Sequence, residues 1–172
     1  MTSNHHPTVR QKHAPLKGGS SKRFKQHHAI FFIIVLAIFT LDQLTKYLVR
    51  ATFSLYETKT IVPSVFSLTY STNTGAAFGL LQNQTGVFIW LSVMVLGFII
   101  YYYDAISKRL SFVIPTALLL GGVLGNLFDR IVYGRVTDFL DFHVWPIFNV
   151  ADAALSIGCI ILVIVFWRED SP

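Results

Sequence analysis

The sequence has little charge and almost no cysteine. Only 13% of its 172 residues are charged, whereas 53% are hydrophobic. A soluble domain typically carries about 25% charged residues, so this composition indicates a membrane protein. A single cysteine excludes an intramolecular disulfide, a Cys-rich zinc site and a CxxC redox pair. Because Cys159 lies in an apolar run, we expect it to be a buried structural thiol.

Histidine is also scarce outside the amino-terminal region. Of six histidines, His143 alone lies beyond residue 28, so no multi-histidine metal site is expected. The net charge of +5 could suggest nucleic acid, but its distribution does not, because six basic residues precede the first apolar segment: Arg10, Lys12, Lys17, Lys22, Arg23 and Lys25. Such a cluster favours anionic lipid headgroups and cytoplasmic retention. We therefore predict a disordered basic cytoplasmic tail over residues 1–28 and no nucleic-acid partner.

Four apolar segments predict the fold class, an all-α membrane protein with four transmembrane helices. A helix needs about 20 residues to cross a bilayer, and the predicted spans are 29–49, 87–103, 112–128 and 150–167. Together they make one membrane domain over residues 29–168, followed by a short tail, 169–172. We interpret the first span as a retained helix, because no small-residue cleavage site of a signal peptide follows it.

The connection over residues 50–86 is not simply polar. It mixes β-branched and aromatic residues with partial alternation, as in Val65-Phe66-Ser67-Leu68-Thr69-Tyr70. This pattern is typical of short strands. We therefore predict a small extramembrane sheet lying on the bilayer surface.

The positive charges predict the orientation of the helices. Four spans place both termini on one side. With the amino end in the cytoplasm, that side carries nine of the 14 basic residues, namely the six of the tail with Lys108, Arg109 and Arg168. The positive-inside rule favours this arrangement. The polar motif residues then all fall at the outer boundary: Asp42, Asn73, Asn126, Asp129, Arg130, Asp138, Asn149 and Asp152.

Spacing within two helices indicates a shared cleft. Asn126 and Asp129 are three residues apart, and so are Asn149 and Asp152, so each pair lies on one helix face. A small-xxx-small pair, Gly121 and Gly125, would let another helix approach closely. The two Asn-x-x-Asp faces could then meet, with Asp138 supplied by the loop between the helices. Two carboxylates in one site supply a base and an acid together, which suits water attack on a peptide carbonyl.

Simpler interpretations remain open for individual residues. Asp129 beside Arg130 predicts a structural ion pair, and Asp42 with Lys46, four apart, predicts a local helix pair. Asp141 is expected to be a solvated loop residue. Intramembrane carboxylates also occur in proton paths, so a small transporter using Asp42, Asp138 and Asp152 is one alternative function. A non-catalytic assembly factor that pairs through its glycine face is another.

Five motifs, in order, resemble those of the lipoprotein signal peptidase family, also called signal peptidase II. The resemblance covers roughly residues 30–167, and the segments that carry it are Asp42-Gln43 with Lys46, Asn73-Thr74-Gly75-Ala76-Ala77-Phe78-Gly79, Gly121-Gly122-Val123-Leu124-Gly125-Asn126-Leu127-Phe128-Asp129-Arg130, Gly134-Arg135-Val136-Thr137-Asp138-Phe139 and Phe148-Asn149-Val150-Ala151-Asp152. Each motif is weak alone, but their order together with four spans is specific. The basic tail is longer than the family core requires.

This resemblance implies a four-helix inner-membrane aspartyl endopeptidase with a small periplasmic β-cradle. Its substrates would be diacylglyceryl-modified bacterial prolipoproteins, cut on the amino side of the lipidated cysteine. Asp138 and Asp152 match the family's catalytic aspartates. Polar support and substrate contact would come from Asn73, Asn126, Arg130 and Asn149, with Asp42, Lys46 and Asp129 as structural polar residues. The resemblance implies no metal or organic cofactor. We expect a monomer with both termini cytoplasmic and its site near the periplasmic face.

Overall fold

The structure, a computed structural model, describes residues 18–75 and 82–169. Its elements in chain order are α1 (Gly18–Thr52), β1 (Thr58–Val62), β2 (Phe66–Asn73), α2 (Thr85–Ile106), α3 (Leu110–Tyr133), β3 (Val136–Asp141) and α4 (Val150–Glu169). All four helices are long and apolar enough to cross a membrane. The predicted fold class, four transmembrane helices with a small sheet, is therefore confirmed.

The first helix is longer than the sequence predicts. α1 begins at Gly18, so the prediction of disorder was wrong for residues 18–28, whereas residues 1–17 lie outside the described part. The extension packs against the turn between α2 and α3, where Nδ1 of His27 lies 2.8 Å from the carbonyl oxygen of Ser107. At the other end of the chain, Glu169 belongs to α4 rather than to a tail.

The third helix lies at the centre of the bundle. In its most apolar stretch 61% of the residues are buried, against 6% to 17% in the other three helices. Glycines allow the close packing, as predicted. A Cβ on Gly125 would lie 2.5 Å from the Asp42 carboxylate of α1, and one on Gly122 would lie 2.4 Å from the carbonyl oxygen of Ala151 in α4. A side chain at Gly122 would push α4 away, and one at Gly125 would displace the Asp42 carboxylate.

The fourth helix corrects one expectation. Cys159 is exposed on the surface of the bundle, so the prediction of a buried thiol was wrong. The buried residues of α4 are the small ones that face α3, Ala151, Ala154 and Gly158. An apolar run that spans a membrane buries only one face in protein, because lipid accepts the rest.

An antiparallel three-stranded sheet with the order β1-β2-β3 lies at one end of the helix bundle. β1 and β2 fall within the predicted strand region 50–86, but β3 was predicted as a loop. Asp141 ends β3 and is not simply solvated, because it accepts a hydrogen bond of 2.9 Å from the Thr69 hydroxyl. Gly134 ends α3 in the left-handed conformation, with φ of 71°, which glycine adopts without steric cost. This turn connects the end of α3 directly to β3, which starts at Val136.

Candidate active site

Asp138 is held on a strand that the helices bury. β3 pairs with β2, so that Asp138 lies opposite Ser71, and only 3% of Asp138 is exposed. Strand residues alternate between the two faces of a sheet, yet the first four residues of β3 are all buried. Both faces of this stretch are therefore covered: the Thr137 hydroxyl accepts from Arg50 of α1, and the Asp138 carboxylate accepts from Asn149 beside α4.

Asp152 is fixed by the start of α4. The backbone N–H of Asp152 donates to Oδ1 of Asn149 at 2.9 Å, and the backbone N–H of Asn149 donates to Oδ2 of Asp152 at 3.3 Å. This reciprocal pair is a capping box, with Asn149 as the N-cap. A carboxylate in the first turn is also stabilised by the helix dipole. The sequence Asn-x-x-Asp thus both begins the helix and orients its carboxylate.

Two asparagine side chains join the aspartates. Nδ2 of Asn149 donates to Oδ1 of Asp138 at 2.6 Å and also lies 3.2 Å from Oδ1 of Asn126. Nδ2 of Asn126 donates to Oδ1 of Asp152 at 2.7 Å. The faces carrying Asn126 and Asn149 therefore meet, as their spacing predicts. Both carboxylates receive donated hydrogen bonds and belong to one connected polar network.

The electrostatic state of Asp138 follows from its surroundings. Burial, and then the nearby charge of Asp152, raise the pKa of Asp138 to about 8 from an ordinary value of 3.8, against the opposing hydrogen bond from Asn149. Taking a carboxylate out of water disfavours its charged form, and a like charge does the same. Asp138 therefore holds a proton at neutral pH while it lies next to a second carboxyl group.

Next to this network, Asp42, Lys46 and Asp129 form a buried ion cluster. Asp42, Lys46 and Asp129 are all fully buried. Nζ of Lys46 lies 2.8 Å from Oδ2 of Asp42 and 3.4 Å from Oδ2 of Asp129. The predicted Asp42–Lys46 pair is confirmed, but the partner predicted for Asp129 was wrong. Asp129 pairs with Lys46 and Arg50 instead of Arg130, because adjacent helix residues do not face each other.

Asp129 and Asp42 also connect four elements in two pairs. Oδ2 of Asp129 accepts the backbone N–H of Thr137 at 3.0 Å, which anchors β3 to α3. Oδ1 of Asp42 accepts the backbone N–H of Ala151 at 2.9 Å, which anchors the start of α4 to α1. The cluster therefore fixes the two segments that carry Asp138 and Asp152.

Arg130 points into a cavity rather than into the ion cluster. Its Nη2 donates to the carbonyl oxygen of Gly75 at 3.2 Å, and its guanidinium lies 4.8 Å from the centroid of the Phe88 ring. The cavity has a volume of about 390 Å³. Its polar lining residues include Asn73, Asn126, Arg130, Asp138 and Asp152. Apolar residues of α2, α3, β3, α4 and segment 145–148 line most of the remainder. Both aspartates are thus accessible from one space.

Some contacts of the site are missed by reasoning from sequence. Arg50 donates to the Thr137 hydroxyl at 3.0 Å and stacks 4.4 Å above the Tyr133 ring. Gln43 donates to the carbonyl oxygen of Gly125 at 3.1 Å. The position of Gln43 beside Asp42 in the first motif could have indicated its role. Arg50 lies outside every motif, so nothing in the sequence indicated its contacts.

Four apolar helices around a carboxyl pair that opens on a cavity define a multi-pass membrane protein with a buried polar site. The family model of signal peptidase (SPase) II matches residues 34–168. The lipoprotein signal peptidase of Halothermothrix orenii is 41% identical over 139 residues, which cover 81% of this chain and 96% of that protein. The lipoprotein signal peptidase of Moorella thermoacetica is 46% identical over 137 residues, which cover 77% of this chain and 89% of that protein.

A solved structure supports the same assignment. A bacterial membrane enzyme superposes with a TM-score of 0.77 at 31% identity, over 82% of this chain and 89% of that one. The chain therefore belongs to the signal peptidase II family, and it is a protease embedded in a membrane.

Proposed function

We propose that Asp138 and Asp152 are the catalytic dyad with which this protease removes signal peptides from prolipoproteins. The observation that supports the dyad best is the side chain of Asn149, which caps Asp152 and donates to Asp138. The substrates would be diacylglyceryl-modified precursors, cut on the amino side of the lipidated cysteine. Family membership supports the activity, and the shared cavity supports the two residues.

The chemistry follows from one proton shared between two carboxyl groups. The charged aspartate takes a proton from water as the water oxygen attacks the scissile carbonyl carbon, and the protonated aspartate donates to the carbonyl oxygen. Collapse of the tetrahedral intermediate returns a proton to the leaving amine and breaks the C–N bond. The raised pKa of Asp138 suits it to the acid role in the first step.

Arg130 and Asn73 are the proposed contacts for the substrate backbone. Nε of Arg130 is buried without a hydrogen-bond partner among the described residues, although a buried donor without a partner is costly. We propose that a carbonyl oxygen of an extended substrate accepts from the Arg130 guanidinium, because Arg130 and Asn73 both line the cavity. The apolar remainder of the lining suits a signal helix and acyl chains.

The setting of the site is proposed from charge and composition. We place the protein in the bacterial inner membrane as a monomer, with residues 29–168 as the peptidase domain and both termini in the cytoplasm. Nine of 14 basic residues then lie on the cytoplasmic side, and the dyad lies near the periplasmic face. The basic residues of the amino-terminal tail would contact anionic headgroups, and a doubly anchored precursor would enter sideways from the bilayer.

Incubation of the detergent-purified protein with a diacylated prolipoprotein tests the function. We expect a shortened lipoprotein whose first residue is the lipidated cysteine, identified by mass spectrometry, and a released signal peptide. The same precursor without its lipid serves as the control for substrate class. An intact diacylated precursor in the presence of folded protein would contradict the proposal, and a transporter or assembly factor would give that result.

Turnover should fall as pH rises through about 8. Above this pH Asp138 loses the proton that the acid step requires, since its pKa is about 8. The expected decline is about tenfold per pH unit on the alkaline limb. Initial rates at saturating lipidated precursor, measured from neutral to alkaline pH, give the profile. Recovery on return to neutral pH separates titration from unfolding, and a flat alkaline profile would contradict a protonated Asp138.

A further inference from the structure

A buried lysine contacts the dyad through one intervening side chain. Nζ of Lys46 donates to Oδ1 of Asn126 at 2.9 Å, and Nδ2 of Asn126 donates to Oδ1 of Asp152 at 2.7 Å. The first bond is fully buried, and neither sequence spacing nor the ion pairs of Lys46 require it. The ion cluster and the candidate dyad are therefore one connected hydrogen-bond network.

The orientation of the Asn126 amide is set by its two donors. Oδ1 of Asn126 accepts from Nζ of Lys46 and from Nδ2 of Asn149, at 2.9 and 3.2 Å. An amide turned by 180° would direct its NH₂ group at an ammonium group that has only donors. Its oxygen would then face the Asp152 carboxylate, which when charged has only acceptors. With Lys46 in place, Asn126 can present only its NH₂ group to Asp152.

Lys46 has no access to substrate. It is fully buried and does not line the cavity that the two aspartates share. Any effect on the reaction must therefore pass through Asn126 or through the electric field. The charged groups around Asp152 are Asp138 on β3, Arg130 on α3 and Lys46 on α1, and Lys46 is itself paired with Asp42 and Asp129.

We propose that Lys46 is a positioning residue for the dyad: it fixes the Asn126 amide so that Asp152 carries the negative charge and Asp138 keeps the proton. This inference rests on the proposed function. Two other observations agree with it. Asp152 lies in the first turn of α4, where the helix dipole favours an anion. Asp138 lies on a strand without such a dipole, and burial raises its pKa to about 8.

The test must separate positioning from folding. Removing Lys46 alone leaves the buried Asp42 carboxylate without its cation and Asp129 with Arg50 alone. The informative variant is therefore the charge-balanced Asp42→Asn/Lys46→Gln, compared with Asp42→Asn. The single variant keeps the lysine. A second variant, Asn126→Ala, breaks the same connection but leaves both ion pairs of Lys46 in place. The kcat and KM for a diacylated precursor are measured across pH, alongside thermal unfolding in detergent.

We expect the acid limb of the kcat profile to move to higher pH in both altered proteins. Without the lysine or the asparagine the charged form of Asp152 is less stabilised, so a higher pH is needed to obtain it. A displacement of one pH unit lowers turnover on that limb about tenfold, and raising the pH restores it. In the Asp42→Asn/Lys46→Gln protein KM should change less than about twofold, because Lys46 does not line the cavity, whereas Asn126 does.

A double-mutant cycle identifies the route. If Lys46 acts through Asn126, the Lys46→Gln change should have little further effect on the acid limb once Asn126 is alanine. An acid limb that stays in place in both Asp42→Asn/Lys46→Gln and Asn126→Ala would overturn the inference, and so would fully additive effects. These results differ from failure of the proposed function, in which Asp138→Asn and Asp152→Asn would keep their turnover.

Discussion

Asp138→Asn and Asp152→Asn should each lower turnover of a diacylated precursor by about 10³-fold or more, because a general acid or base is lost. Asparagine has nearly the shape of aspartate and can still bond to Asn149 or Asn126, so the network should survive. It can neither ionise nor transfer a proton at the pH of the reaction. Rates are compared at equal concentrations of folded protein.

Asp141→Asn is the matched control for the dyad variants. Asp141 ends the same strand as Asp138, but its carboxylate bonds to Thr69 and it does not line the cavity. This variant should retain most of its turnover. Full activity of both Asp138→Asn and Asp152→Asn would contradict the dyad assignment. If only one variant is active, the aspartate that it lacks is not required, and the chemistry depends on the other aspartate.

Lys46→Met should lower the free energy of unfolding by roughly 3–5 kcal/mol, the cost of breaking a buried ion pair by removing one partner. The side chains of Lys46, Asp42 and Asp129 are fully buried, so water cannot replace the lost ammonium group. The thermal unfolding midpoint in detergent and the yield of inserted protein measure the effect.

Lys59→Met provides the comparison for charge removal alone. Lys59 lies on the edge strand β1, whose residues are all exposed, and its loss should change the unfolding midpoint little, as for other surface substitutions. A Lys46→Met protein as stable as Lys59→Met would show that the buried cluster contributes little. The charge-balanced Asp42→Asn/Lys46→Gln protein should be more stable than Lys46→Met.

The spans could be predicted from sequence because apolar length alone decides whether a helix can cross a bilayer. Two features could not. The polar residues 18–28 give no apolar signal, and their helix contacts the end of α2 through His27 and Ser107, which are 80 residues apart. β3 is short, and it becomes a strand by pairing with β2 across the whole of α2 and α3. Both depend on partners far away in the chain.

The site was predictable to the extent that polar groups at membrane depth need partners. The meeting of the helix faces that carry Asn126 and Asn149 follows from the three-residue spacing of each Asn-x-x-Asp pair. The pairing of Asp129 with Lys46 and Arg50 did not follow, because sequence proximity to Arg130 suggested the simpler pair. Which helix face points to which neighbour depends on packing, and here Gly125 lets α1 approach close enough to bring Asp42 to α3.

The hydrogen bond from the backbone of Ala151 to Asp42 connects residues 109 positions apart in the chain. Ribosomes make α1 first and α4 after the other three helices, so the nascent protein carries Asp42 and Lys46 before the helix that bears Asp152 exists. Cleavage of lipoprotein precursors must therefore await insertion of the fourth span. Premature termination before residue 150 would leave an inert fragment in which Asp42 lacks its backbone partner in α4.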